Sequence, residues 1–245
     1  MIITNLASGS KGNATLVETN SVTILIDAGL PLSNLKKRLN RTFPKIDVLI
    51  VTHTHVDHTK GLKSVIKEFS PVIYTSENNL KEQIDNYEKI VYNKKEQIGT
   101  IVLETFNLSH DVPCIGLIIK EDEKELIYIT DTGYIRDKIL DKIKNKNMYI
   151  LESNYDEEML INGKYPFHLK QRIRSPKGHL SNEDCLKYLK KLIGDKTECI
   201  SLAHLSEENN DPKVVEKGIN DLLKKSNKDL RVSIYNQKEI TEIVL

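Results

Sequence analysis

The sequence predicts an α/β sandwich, two sheets packed face to face with helices on the outside. One pattern behind this is a front half of short apolar, β-branched runs followed by alternating strand and helix. That pattern also fits an ordinary doubly wound sheet. A second one breaks the tie: a set of histidines, each standing just past a predicted strand. The 245 residues suffice for one large domain with a buried core, and no linker or internal repeat divides residues 1–245.

Taken in order, Ile2 to Leu6, Ala14 to Glu18 and Val22 to Ile26 read as strands. Ile46 to Val51 is too short and too β-branched for a helix and reads as a buried strand. Leu62, Val65, Ile66 and Phe69 then recur at helical spacing. Further strands are expected at Val72 to Tyr74, Ile101 to Phe106, Ile115 to Ile119 and Leu126 to Ile129. Helices are expected over about Tyr134 to Lys144, Glu183 to Ile193 and Lys213 to Lys225. Strand-like Tyr149 to Leu151 and Ile200 to Leu202 alternate with them.

Composition sets the outer limits. Apolar residues make up 39% and charged residues 29%, ordinary for a soluble globular chain, and the formal net charge of +1 gives no global field toward nucleic acid. No apolar run approaches the roughly 18 residues a membrane helix needs. Met1-Ile2-Ile3-Thr4 runs straight into a strand with no charged-then-apolar leader. The expected compartment is the cytoplasm, with no membrane partner. Cys114, Cys185 and Cys199 are widely separated, form no CxxC pair, and read as reduced, buried small apolar residues.

The chemistry is concentrated in Val51-Thr52-His53-Thr54-His55-Val56-Asp57-His58, which follows a buried strand and precedes a helix. His53 and His55 are two residues apart, so in extended chain their rings leave on the same side. Asp57 and His58 follow where the chain turns. Three imidazoles and a carboxylate converging in one turn suit zinc and other first-row divalent ions. His110 follows the strand around Ile101 to Leu108, Asp131 follows Leu126 to Thr130, and His204 follows Ile200 to Leu202. Chain direction can bring all of them to one rim of the sheets.

HxHxDH, a lone histidine, an aspartate after a strand and a late histidine together resemble the metallo-β-lactamase superfamily, whose fold is a four-layer αββα sandwich. Leu6-Ala7-Ser8-Gly9-Ser10-Lys11-Gly12-Asn13, Glu152-Ser153-Asn154-Tyr155-Asp156, Gly178-His179-Leu180-Ser181-Asn182 and the segment from Ala203 to Asn210 resemble its WalJ/YycJ branch. That branch is associated with DNA exonuclease activity and, in some bacteria, with cell-wall regulation. The resemblance implies two divalent ions per chain, Zn or Mn, with Fe also compatible. His53, His55 and His110 would hold the first, Asp57, His58 and His204 the second, and Asp131 would bridge them. Asp27, in Ile26-Asp27-Ala28-Gly29, would orient the histidine loop. Diiron oxygen-reducing members carry glutamate at the position of His55, and the best-known zinc β-lactamases carry cysteine where Asp131 stands. Neither redox chemistry nor antibiotic hydrolysis is favoured.

Phosphodiester cleavage needs an activated water and a proton for a poor leaving group. Asp57 is expected to orient the attacking oxygen. His179, which precedes a helix capped by Ser181 or Asn182, is the candidate proton donor; it resembles the non-ligand histidine of nuclease members such as RNase Z. Glu152, at a strand end, is expected to orient it. Lys164 to Asn182 contains Lys164, Lys170, Arg172, Arg174 and Lys177 and no acidic residue, which suits an anionic substrate. Tyr165 and Phe167 lie within it and could stack on a base or simply pack. The Gly9/Gly12 loop lacks the ending of a P-loop and leads into a strand, so Ser8, Ser10 and Asn13 either line the substrate mouth or form a tight turn. The leading expectation is a metal-dependent nuclease acting on DNA. The alternatives are a small phosphodiester or thioester hydrolase of the same fold, and a metal-bound regulatory protein with little turnover.

Overall fold

The computed structural model describes residues 1–76, 80, 88–90, 95–237 and 239–245. In β3 (Thr23–Ile26), Ile24 and Ile26 face one side and Leu25 the other, and all three are fully buried. The same alternation recurs in β4 (Val48–Val51), where Val48 and Ile50 share a cluster with Ile24 and Ile26 while Leu49 and Val51 share one with Leu25. A strand buried on both faces must be apolar throughout, which is why these runs show no polar alternation.

The preceding strands are β1 (Ile2–Ala7) and β2 (Ala14–Glu18); β5 (Val72–Ser76), β6 (Glu88–Ile90) and β14 (Thr241–Val244) complete a first sheet of order β14-β1-β2-β3-β4-β5-β6. The second sheet runs β13-β12-β11-β10-β9-β8-β7. Its members are β7 (Lys95–Ile98), β8 (Ile101–Leu108), β9 (Cys114–Glu121), β10 (Lys124–Ile129), β11 (Met148–Glu152), β12 (Cys199–Ala203) and β13 (Arg231–Ile234). Ile24, Ile50, Leu117, Tyr128 and Ile150 belong to one cluster between the sheets. The outer face of the first sheet packs on α1 (Leu32–Arg38) and α3 (Leu62–Phe69) through Leu35, Leu62 and Val65. The outer face of the second packs on α4 (Asp137–Ile143), α7 (Asn182–Leu192) and α8 (Pro212–Ser226) through Leu140, Leu189 and Ile219. These are the four layers the sequence predicts.

Three short helices fall outside the sequence reading besides α1: α2 (Val56–Thr59), α5 (Glu157–Asn162) and α6 (Phe167–Ile173). The expected helix from Tyr134 begins only at Asp137, because Arg136 holds an extended backbone at the N-cap. No helix among the described residues is long and apolar enough to cross a membrane.

In the second sheet β10, β11 and β12 run parallel, while β8 and β10 each pair antiparallel with β9. The carboxyl ends of β8, β10, β11 and β12 therefore lie along one edge. This is where the site is built.

Candidate metal centre and cavity

Each of these four strands delivers one site residue as it ends, and β4 of the first sheet delivers two. His53 and His55 follow β4, His110 lies two residues past β8, Asp131 two past β10, Glu152 closes β11 and His204 follows β12. Asp27, Asp131 and His204 turn the chain in the left-handed region, at φ of 59°, 60° and 57°. Non-glycine residues pay for that conformation, and its recurrence at three strand ends marks a shared constraint. The turn that carries Asp57 and His58 is clamped from beside. A Cβ on Gly29 would lie 1.8 Å from the Asp57 carbonyl oxygen, so only glycine lets the two segments approach.

Among the described residues the ligand-type atoms fall into four overlapping groups, those within a group lying within 4.8 Å of one another: His53, His55 and His110; His53, His58 and Asp131; Asp57, His58 and His204; and Asp131, Glu152, His179 and His204. Asp131 stands between them, with Oδ2 3.3 Å from His58 Nε2 and Oδ1 3.4 Å from His204 Nδ1. His53 Nε2, His204 Nε2 and Asp131 Oδ2 are buried and have no hydrogen-bond partner among the described residues. Leaving three such atoms unpaired is costly unless something else binds them. Nitrogen and carboxylate donors of this kind fit a divalent ion.

The outer nitrogens are tied down. His58 Nδ1 donates to Asp27 Oδ2 at 2.7 Å, and Asp27 in turn accepts from the Thr52 amide (2.8 Å) and hydroxyl (2.8 and 3.0 Å). His110 Nδ1 donates to the Gly178 carbonyl at 3.2 Å. Glu152, fully buried, accepts at 2.8 Å from both His204 Nδ1 and His179 Nδ1 through Oε1. Its Oε2 accepts from the amides of Thr132 and Leu180. Burial alone raises the Glu152 pKa, but the charge and hydrogen bond of His179 and the hydrogen bond from His204 outweigh it and hold the carboxyl at about 2. Glu152 thus reaches a residue on each side of it, which the sequence reading paired with His179 alone. Cys114 sits behind His53, Sγ 3.9 Å from Nδ1, and burial pushes its thiol well above the ordinary range. It stays a neutral, apolar neighbour.

A cavity of about 260 Å³ opens onto these residues. Ser10, His55, Asp57, His110, Asp131, His179 and His204 form its floor and one side. Tyr165, the α6 residues Leu169, Arg172 and Ile173, and Lys177 beyond α6 also line it. The sequence-predicted contact residues divide accordingly. Ser10 and Arg172 reach the cavity. Ser8 is buried and accepts a 2.7 Å hydrogen bond from the His204 amide, and Asn13 packs beside His58, its Nδ2 2.9 Å from Nε2. Lys170 donates to the Ile161 carbonyl at 2.7 Å, and Arg174 pairs with Glu157. Both turn away from the cavity. Thr52, Asn154 and Lys177 join the site without having been assigned a role, although each lies within a motif or run that the sequence shows.

Two packed sheets with strand-end histidines around Asp131 define a class, the metal-dependent hydrolases of the metallo-β-lactamase fold. A profile of the β-lactamase superfamily domain matches residues 22–200. Exodeoxyribonuclease WalJ of Streptococcus pneumoniae serotype 2 is 36% identical over 220 residues, 84% of this chain and 81% of that protein. Exodeoxyribonuclease YycJ of Bacillus anthracis is 35% identical over 230 residues, 89% of this chain and 87% of that protein. The metallo-β-lactamase fold protein YhfI from Bacillus subtilis superposes with a TM-score of 0.75 at 16% identity, covering 98% of this chain and 99% of YhfI. The chain belongs to the β-lactamase superfamily and, within it, to the WalJ/YycJ family.

Proposed function

We propose that this protein is a dinuclear metal-dependent phosphodiesterase that shortens DNA from its ends. The observation that carries this is Glu152 holding His204 and His179 at once, which places a free imidazole beside the metal-type donors and inside the cavity. The names of the relatives at 35–36% identity support DNA as the polymer. His53, His55 and His110 would hold one ion and Asp57, His58 and His204 the other, with Asp131 shared. Two divalent ions, when bound, would lower the pKa of a bound water toward neutrality and neutralise charge on the phosphate.

The chain's own groups do the rest. Asp57, at the cavity and 3.5 Å from His58 Nε2, orients the attacking oxygen. His179 carries its proton on Nε2 toward the departing 3′ or 5′ oxygen, because Nδ1 is committed to Glu152. The ionised Glu152 stabilises that imidazolium and fixes its plane. Arg172 and Lys177 contact backbone phosphates without reading sequence, and Tyr165 offers a face for a base. The cytoplasm, where DNA is at hand, is part of the same proposal. The test is metal-loaded protein on end-labelled DNA, end-labelled RNA and a small chromogenic phosphodiester. Progressive loss of terminal nucleotides from DNA is expected, and turnover of the small substrate alone would replace this reading with a small-molecule hydrolase.

A further inference from the structure

Four of the five histidines around the metal-type groups have their outer nitrogen beside a fixed oxygen. His53 Nδ1 lies 3.2 Å from Thr52 Oγ1, His58 Nδ1 2.7 Å from Asp27, His110 Nδ1 3.2 Å from the Gly178 carbonyl and His204 Nδ1 2.8 Å from Glu152. Each of these rings is also buried. His55 is the exception, with 32% of its side chain exposed. Its Nδ1 lies 3.4 Å from His110 Nε2. Two nitrogens bound to one zinc at about 2.0–2.1 Å and tetrahedral angles stand about 3.4 Å apart, a spacing that fits Nδ1 as the nitrogen of His55 that would share an ion with His110. That leaves Nε2 3.3 Å from Asp111 Oδ1, an oxygen that also stands 3.3 Å from His110 Nε2. The other oxygen of Asp111 is gripped by Nε and Nη2 of Arg172, which reaches across from the cavity wall.

We propose that Asp111 is the positioning residue of the first metal pocket. It accepts from His55 Nε2–H and so fixes the tautomer that presents Nδ1 inward, while Arg172 fixes Asp111. The inference rests on the dinuclear reading above. It assigns His55 the carboxylate partner that burial supplies to His58 and His204, and it gives Arg172 a task beyond phosphate contact. Metal-bound imidazoles need such partners, whose loss costs about 10–100-fold in metal affinity.

The experiment is chelator competition for Zn(II) on purified wild type, Asp111→Ala, Asp111→Asn and Arg172→Ala, with the visible spectrum of the Co(II)-loaded forms as a second readout. Asp111 is on the surface, and circular dichroism checks that each variant is folded. In Asp111→Ala one of the two affinities should fall about 10–100-fold and the other should hold. Asp111→Asn should recover most of the loss, since its carboxamide oxygen still accepts from Nε2–H, and Arg172→Ala should lose less than Asp111→Ala. Unchanged affinities in Asp111→Ala would overturn the proposal. So would Asp111→Asn losing as much as alanine with a changed Co(II) spectrum, which would make Asp111 a direct ligand. Wild type that binds no metal would sink the dinuclear reading itself, a separate result.

Discussion

The two sides of the cavity are built on opposite plans. On the histidine side, His53, His58, His110 and His204 are buried and the outer nitrogen of each meets a fixed oxygen, so these donors hold their geometry before anything binds. On the α6 side, the cations stand on short helices and spend themselves on surface partners: Lys170 on a carbonyl, Arg174 on Glu157, Arg172 on Asp111. Burial makes the first side precise, whereas an exposed pair such as Arg174–Glu157, which holds no site residue, is worth little and rearranges easily. Under the proposed function, one side would serve the chemistry and the other would accommodate a polymer whose sequence varies.

The comparison predicts where substitutions hurt most. Asp131→Ala, at the centre of the buried side, should empty both metal positions and abolish turnover, as metal analysis and a nuclease assay would show. If one ion stays at full affinity, Asp131 is not shared. His179→Ala should keep its metals and fold while turnover on DNA falls by about 10²–10⁴, the usual worth of general-acid assistance. The loss should shrink for a nitrophenyl phosphodiester, whose leaving group needs no proton. Equal loss on both substrates, or release of a metal, would take His179 out of the donor role.

Asp27→Asn should weaken the ion at His58 by about 10–100-fold, read by chelator competition. On the cationic side the effects should be the smallest and the most selective. Arg172→Glu or Lys177→Glu should lower the slope of log affinity for DNA against log salt by about one unit each. Arg174→Glu and Lys170→Glu, which turn away from the cavity, should leave it unchanged. If all four behave alike, the segment works as a diffuse field and the wall has no specific contacts.

Much of the histidine side was legible because its signals are local. A motif spanning six residues after a β-branched run states both its ligands and its place at a strand end. The contacts that orient those ligands were harder to read. Glu152 meets His204 across 52 positions, and Ser8 holds the His204 amide across 196. Spacing carries no record of such meetings. Ser8 and Asn13 turn inward and hold the frame, while Ser10 of the same loop lines the cavity. Helices α5 and α6 escaped for a different reason. Each buries little of itself, Leu160 in one and Ile173 in the other, so neither shows a helical stripe.

The left-handed turns at Asp27, Asp131 and His204 bear on how the site is best taken apart. An alanine placed at φ near 60° keeps a Cβ against the following carbonyl at a cost of roughly 1–2 kcal/mol and gives back no side-chain hydrogen bond. Glycine removes the same side chain without that penalty. Asp131→Gly should therefore unfold at higher urea than Asp131→Ala while being equally inactive, and the same ordering should hold at His204. Part of the chain's folding free energy is thus withheld at its working edge, held as bent backbone that only the native side chains have reason to tolerate.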